Sequence, residues 1–548
     1  MVTKKDIINM LKEFIAIYSS NNESWKSRAY QKSIRSINDY SGGRITTIEE
    51  WIKIPNIGKG IASKIVEFQQ KGKVTKLNKL KRSIPSVNKL MELTQIPGVG
   101  IKKAKVICEK YNIKTLKGLY KKLEIGVLKD DWLINGLRTL KLRGDQKRIP
   151  IYKAYSYLAK ATKELDKFGF IKQIIPAGSM RRVYATVKDI DVIVVIDDKM
   201  SREDAVKKIV KKYKLESSGK AKCYIPIGEG RFVDLYICHE KYLGTMLLYL
   251  TGSGEWNEFI RGIVKKKGGK LNQYCLIRKG KKEYFKSERK LLKTILGRWV
   301  PPECREKARD IGGDDLVKLS DIKGDLHIHS TKSDGQNKPT EIAKACKELK
   351  YKYFGLADHL GKWTHRDLVE EDLLKWIKKF SKNKHKLAIK GLLGGEIDIS
   401  KTGKLSIEES TIRKLDYMIL SSHQSPGENL EHRYITNMEK FKDFEGIKIL
   451  AHPINRNTKK SKMLEWDDIN WLKIFQVAKA CSFALEINGC IERMDLDWTL
   501  VRKAKLIGCK FHLSSDAHSL EGLLNMQTAV IVARKGKLTK KDVINCKL

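Results

Sequence analysis

No run of 18 or more apolar residues occurs in the 548-residue chain, so no segment is long and apolar enough to span a bilayer as a helix. The N-terminal MVTKKDIINMLKEF mixes lysines with apolar residues at helical spacing and reads as an amphipathic helix, not a secretory signal. The ten cysteines contain no C-x-x-C pair, the closest two being Cys481 and Cys490. Such scatter fits reduced thiols, without disulfides, in a cytosol-like compartment. A soluble cytoplasmic protein with no membrane association is expected. Acidic residues are scarce beside basic ones: Asp+Glu 64 against Lys+Arg 110 leaves a net charge of +46. A Lys-rich proteome can impose such a charge by itself, and heavy Lys and Ile use fits an AT-rich genome, a viral one included. The excess also suits a polyanionic partner, nucleic acid above all.

The length exceeds one core and suggests three to five units. In the first 150 residues, IPNIGKGIASKI at 54–65 and IPGVGIKKAKVI at 96–107 repeat one pattern: Ile-Pro, a short loop with glycine or Asn, then the start of an amphipathic helix. The pattern resembles the helix-hairpin-helix motif. Glycines at 58, 60, 98 and 100 let the backbone approach a phosphate, so that its N–H groups and the helix N-terminus hold the anion without reading sequence. The surrounding apolar spacing of three and four predicts an all-α region.

The stretch GSMRRVYATVKDIDVIVVI from residue 178 sets Asp189 and Asp191 at the head of the apolar run Val192–Ile196. Residues two apart on a strand share a face, so both carboxylates point together while Ile190 turns inward. Like charges that close need a cation between them, and hard divalent ions with oxygen ligands fit. A third carboxylate, Asp234 in RFVDLYI, alternates onto the face of Phe232 and Tyr236. Gly178, Ser179 and the pair Arg181 and Arg182 add a close-approach backbone, a hydroxyl and guanidinium forks suited to phosphate. The set is a phosphoryl-transfer constellation.

Of 11 histidines, 10 lie from residue 327 onward. His327 and His329 share a strand face in DLHIHSTKSDG, with Asp334 in the following loop. Asp358 and His359 follow in GLADH, then Glu396, His423, His452, and Asp516 with His518. Nearly all close an apolar β-like run, the arrangement a β/α barrel produces when its loops build a site on one rim. Mixed His and carboxylate ligands suit Mn²⁺, Zn²⁺ or Fe²⁺.

GSMRR, DID and the lone Asp234, followed by YLTGSGEWN at 249–257, resemble the family X DNA polymerases of the nucleotidyltransferase superfamily. The resemblance implies a palm with Mg²⁺ or Mn²⁺ at Asp189, Asp191 and Asp234. It places Tyr249 and Leu250 by the incoming sugar, a bend at Gly252 and Ser253, and Asn257 and Arg261 near the base pair and template. It implies that Lys64 is the Schiff-base lysine of lyase-competent members and that Lys26, Tyr30 and Lys76 hold the 5′-phosphate or support it. Val183 stands where the family commonly has Gly, and Gly60 and Ser63 replace a lysine and an acidic residue. The C-terminal motifs resemble the PHP (polymerase and histidinol phosphatase) domain, with all nine ligand positions occupied. That implies two to three metal ions in a distorted (β/α)7 barrel, with Arg456 and Arg493 as candidate phosphate contacts.

The expected architecture is therefore multidomain. It comprises an all-α lyase-like domain with helix-hairpin-helix (1–85), fingers (86–150), an α+β palm (151–245), a thumb (246–310), a linker (311–322) and a PHP domain (323–548). The resemblance implies a monomeric, DNA-associated repair polymerase that fills short gaps from deoxynucleoside triphosphates. Its PHP domain would supply 3′-5′ exonuclease, 3′-phosphatase or AP-endonuclease action. The alternatives are a template-independent nucleotidyltransferase, which leaves the thumb motif without a task, and a phosphatase of small phosphomonoesters, which needs no DNA-gripping loops.

Overall fold

Thr3 starts the first helix of the computed structural model, Lys4–Ser20, through a capping box with Asp6. The structure describes the whole chain except residues 1, 22, 41, 84–90, 97–98, 114, 144–147, 214–220, 309, 314, 362–366, 424–428, 457–468 and 548. Two compact units result, Met1–Gln146 and, apart from 467–469, Lys147–Leu548.

The first unit is helical in its described residues, as its apolar spacing predicts. Leu11, Phe14 and Ile17 pack with Ala62 and Ile65 of the helix Lys59–Lys71 in one core. Leu93, Ile96, Ala104, Ile107, Leu133 and Leu137 form another. Each buried Leu, Ile or Phe among them contributes about 1.5–3 kcal/mol over an exposed one.

The second unit begins with the antiparallel pair β1 (Ile149–Pro150) and β3 (Thr186–Val187). Beside it lies a sheet in the order β2 (Ile171–Pro176), β4 (Ile190–Ile196), β6 (Arg231–His239), β5 (Lys222–Gly228). Side-chain alternation builds two cores on this sheet. Val192, Val194, Ile196, Val233 and Leu235 pack with Ala154, Ala161 and Ile209 of the helices Ile151–Leu165 and Arg202–Lys212. Ile193 and Val195 face Met246 and Leu247 of the helix Leu243–Thr251. A small antiparallel sheet, β7 (Lys270–Leu271), β8 (Leu276–Arg278) and β9 (Lys281–Glu283), follows the helix Gly254–Lys266.

From residue 324 the strands are parallel. They form a three-stranded sheet, β10 (Gly324–Ile328), β11 (Tyr353–Leu356), β13 (Lys390–Leu393). A six-stranded one runs β12 (His359–Leu360), β14 (Glu396–Asp398), β15 (Tyr417–Ser421), β16 (Ile447–Leu450), β17 (Phe483–Asn488), β18 (Phe511–Ser514). The described strands thus make two sheets, not the single closed one expected. The breaks have local causes. Asp358 interrupts β11 and β12 because its carboxylate accepts Ser330 N–H at 2.8 Å and Ser333 Oγ at 2.8 Å. Gly394 and Gly395 interrupt β13 and β14 where a Cβ would lie 2.4 Å from the Tyr417 ring and 2.2 Å from Leu360. Hydrogen bonds still cross both breaks, from Gly394 N to Leu356 O at 2.9 Å and from Glu396 N to Asp358 O at 3.1 Å. Among the described residues no helix is long and apolar enough to cross a membrane.

Candidate active sites

In the first unit, the left-handed residue of the loop at 54–58 is Asn56, at φ 64, not a glycine. Gly58 is the N-cap of the helix Lys59–Lys71 at φ −84 and caps no amide with a side chain. A Cβ at Gly58 would meet nothing within 4 Å, so the glycine leaves the helix N-terminus approachable instead of relieving strain. Gly100 caps the helix Ile101–Tyr111 in the same way, whereas Gly98 lies outside the described residues.

Lys64, on the helix that Gly58 starts, donates to the Gly60 carbonyl and has its ammonium 6.0 Å from the centre of the Phe14 ring. Burial, helped by Lys76, holds its pKa below the ordinary lysine value. Lys76 itself is exposed. Tyr30 is buried against Phe14, ring centres 5.0 Å apart, and Lys26 pairs with Glu23.

In the four-stranded sheet of the second unit, β4 and β6 run parallel with Asp191 directly beside Asp234. Asp189 stands exposed just before β4, and Ile190 is buried as the alternation requires. Burial, reinforced by Asp234 and Asp189, pushes the Asp191 carboxyl up to about 6. Part of that rise, after burial, is the electrostatic cost of three clustered carboxylates, and a multivalent cation would offset it. Lys222 on β5 escaped the sequence reading. Its ammonium lies 3.3 Å from Asp234 Oδ2 and 3.0 Å from Tyr236 Oη, which in turn reaches Asp191 Oδ1 at 3.4 Å. Only the pairing of Lys222 with Tyr236 across β5 and β6 reveals it.

Gly178 has φ +58, and a Cβ there would lie 2.5 Å from Asp191 Oδ2. Ser179 follows it in the one-turn helix Gly178–Arg181. The paired arginines are engaged within the protein. Arg181 forks onto Glu288 at 2.8 Å and onto Thr251 Oγ1 at 2.6 Å, while Arg182 bonds the Thr251 carbonyl and Glu306. Beyond the bend at Gly252, Ser253 caps the helix Gly254–Lys266. Asn257 donates to Tyr249 O at 2.7 Å, and Tyr249, Asn257 and Arg261 line one groove with Asn272.

All nine expected residues of the C-terminal region converge. His329, Asp334, His359 and His518 form one cluster, His327, His329 and Asp516 a second, and His359, Glu396 and His423 a third, each with its donor atoms within 4.8 Å. His452 joins through Glu396, Nε2 to Oε1 at 2.8 Å. Donor pairs such as His329 Nε2 with Asp516 Oδ1 at 3.3 Å and His423 Nε2 with Glu396 Oε1 at 3.2 Å match the edge of a tetrahedron whose metal bonds are about 2.0–2.1 Å. His327 Nε2, both ring nitrogens of His329 and His452 Nδ1 are buried without a hydrogen-bond partner, as nitrogens meant for a metal would be. Burial and the neighbouring His359 and His518 push His329 down to about 3, the neutral form a metal requires.

A supporting layer orients these rings. Glu486 takes His327 Nδ1 at 2.5 Å, Ser514 Oγ at 2.7 Å and His452 N–H at 2.7 Å. Asp325 takes the N–H groups of His327 and Ser515, each at 3.0 Å, and Asp398 the His423 N–H at 2.8 Å. These residues were missed because they lie inside strands, where an acid carries no periodic signal; Glu486 is fully buried in β17. Arg493 reaches Asp516 at 3.4 Å, but Arg456 is bound to Asp497 at 2.8 Å.

Family models match a helix-hairpin-helix domain at residues 2–74, a DNA polymerase beta thumb at 246–306 and a PHP domain at 325–488. The chain is 29% identical to a protein of Bacillus subtilis named DNA polymerase/3′-5′ exonuclease PolX, over 99% of this chain and 97% of that one. It is 23% identical to DNA polymerase lambda of Rattus norvegicus, over 49% of this chain and 48% of the relative. With the three clustered carboxylates, the thumb match and the histidine clusters in this order, the chain resembles along almost its whole length the family X DNA polymerases that carry a C-terminal PHP domain.

Proposed function

We propose that the protein fills short gaps in DNA during repair, of the base-excision type, and trims 3′ ends at its second site. The observation that carries the reading is the register of β4 and β6, which sets Asp191 beside Asp234 with Asp189 just ahead. The three carboxylates would hold Mg²⁺ or Mn²⁺, and the nine His, Asp and Glu residues of the PHP domain two to three Mn²⁺, Zn²⁺ or Fe²⁺ ions. Bound metals supply Lewis-acid polarisation of phosphate oxygens at both sites. Gly178 keeps the backbone close to the carboxylates, and Ser179 offers a hydroxyl to the triphosphate. Tyr249, Asn257 and Arg261 form a wall on which sugar, base pair and template rest. In the first unit, the helix N-termini at Gly58 and Gly100 grip the DNA backbone.

The domain division at 85, 150, 245, 310 and 322 belongs to the same reading. So does the view of the two parallel sheets as one interrupted seven-stranded β/α ring, with the His329 N–H bond to Ala517 O as its closing link. Lys64 is the nucleophile of a 5′-deoxyribose-phosphate lyase. Its neutral amine adds to the C1′ aldehyde and water leaves to form the imine; loss of a C2′ proton then breaks the C3′–O bond and expels the 3′ phosphate as the 5′-phosphate end of the DNA, and water hydrolyses the imine to free the lysine.

Primer extension on a gapped duplex, and 3′ digestion of the same primer without nucleotides, test the two-site reading. Asp191→Ala should abolish extension and spare digestion; His329→Ala should do the reverse. Loss of both activities in either variant, or of neither in both, would show that the sites are misassigned. Untemplated addition alone would favour the template-independent alternative.

A further inference from the structure

Arg182, the guanidinium expected to meet nucleotide phosphate, is held by a buried network that reaches the far end of the chain. Its Nε lies 3.3 Å from Glu306 Oε1, and its Nη1 donates to the Thr251 carbonyl. Glu306, only 5% exposed, also takes Tyr184 Oη at 2.7 Å and, on Oε1, the Lys535 ammonium at 2.6 Å. Lys535 is 1% exposed, on the helix Met526–Lys535. It also donates to the Arg182 carbonyl at 2.9 Å and stands 4.1 Å from the centre of the Tyr184 ring. Through its own carbonyl Glu306 accepts Ser253 Oγ at 2.9 Å, the residue that caps the helix bearing Asn257.

We propose that Lys535 is a positioning residue of the palm: a cation supplied from the helix Met526–Lys535 that sets, through Glu306, where Arg182 and the Gly252–Ser253 bend stand. This rests on the polymerase reading. A lysine with almost no exposure is a costly way to gain stability, since apolar replacements of buried ion pairs are often neutral or better. Its geometry instead gives it leverage on Arg182, because it binds both the carboxylate that holds the guanidinium and the backbone of the same residue. Glu306 carries two cations on one oxygen. Removing Lys535 frees the carboxylate to turn fully onto Arg182 and draws the guanidinium off the phosphate position.

The test is steady-state extension of a gapped primer with varied deoxynucleoside triphosphate, with 3′ digestion measured on the same preparations. Lys535→Met should raise KM for the nucleotide about tenfold or more, change kcat less, and leave digestion intact. Lys535→Arg should retain most of the affinity. A cavity of about 310 Å³ lined by Val183, Tyr184, Trp498 and Lys535 reaches this point. In Lys535→Ala, n-propylammonium should therefore recover the KM and n-propanol should not. If Lys535→Met fails to fold, Lys535→Gln carries the test, because its amide is uncharged and Glu306 keeps Arg182 as its partner. It should melt like wild type yet keep the raised KM. A wild-type KM in a normally folded Lys535→Met or Lys535→Gln overturns the proposal. So does a joint fall of extension, digestion and melting temperature in Lys535→Gln. Wild-type extension that Asp191→Ala abolishes is the control separating this outcome from failure of the polymerase reading.

Discussion

Val183 holds a β-branched side chain at φ +53, a left-handed conformation that costs a non-glycine residue about 1–2 kcal/mol. The turn is needed because the chain must leave the helix Gly178–Arg181, bonding Val183 N–H to Met180 O at 3.0 Å, before entering β3. That explains why a glycine is the common family choice here. Val183→Gly should raise thermal stability by up to about 1 kcal/mol, net of glycine's greater unfolded freedom, read as an upward shift in melting temperature. Gly178 is the opposite case. At φ +58 with Asp191 Oδ2 against its missing Cβ, Gly178→Ala must move a palm carboxylate, so extension should fall sharply while 3′ digestion persists. Extension at the wild-type rate would mean that Asp191 does not need its observed place.

At the scale of elements, periodicity made most of both sites legible. Alternation set the faces of Asp191 and Asp234 and joined His327 to His329, and the close of an apolar run marked most of the other residues of the histidine clusters. What stayed hidden depends on pairing across strands or on strand interiors. Lys222 meets the palm carboxylates only through its register with Tyr236, and the breaks at Asp358 and Gly394 depend on side chains far along the chain. Gly58 was legible as part of an open loop, but the residue that turns it is Asn56, and Gly60 lies in the first turn of the helix Lys59–Lys71 instead of in the loop. Glu486 was invisible for a third reason: inside β17 its neighbours Leu485 and Ile487 are as buried as it is. Because Glu486 fixes His327 and His452 together, Glu486→Gln should weaken metal-dependent 3′ digestion about 10- to 100-fold and leave extension unchanged. On the helix Lys59–Lys71 the lever is charge. Lys76 helps to hold the Lys64 amine below its ordinary pKa, so Lys76→Glu should raise that pKa and shrink the neutral fraction near pH 7. Borohydride trapping of an incised abasic substrate should then slow, with its pH midpoint displaced upward, and should vanish in Lys64→Ala. A midpoint unmoved by Lys76→Glu would place the nucleophile elsewhere.

For the whole molecule the open question is whether a net charge of +46 serves DNA or only reflects a Lys-rich composition. The two differ in counterion release. A protein that neutralises about 6–10 phosphates loses about 10³–10⁵ in affinity between 50 and 200 mM salt, whereas diffuse surface charge produces no such stoichiometric slope. The proposed function calls for specific contacts, since helix N-termini at Gly58 and Gly100 are uncapped by side chains and Tyr249, Asn257 and Arg261 line one groove. Binding to gapped duplex should therefore fall along a straight log–log line with a slope steeper than about −5. Hydrolysis of a small phosphomonoester at the histidine site, whose His327, His329, Glu396, His452 and Asp516 are buried, should respond far less to the same salt range, because buried charges are screened little. A shallow slope for DNA, with the small ester turned over well at every salt concentration, would turn the assignment toward a phosphatase and leave the palm without its substrate.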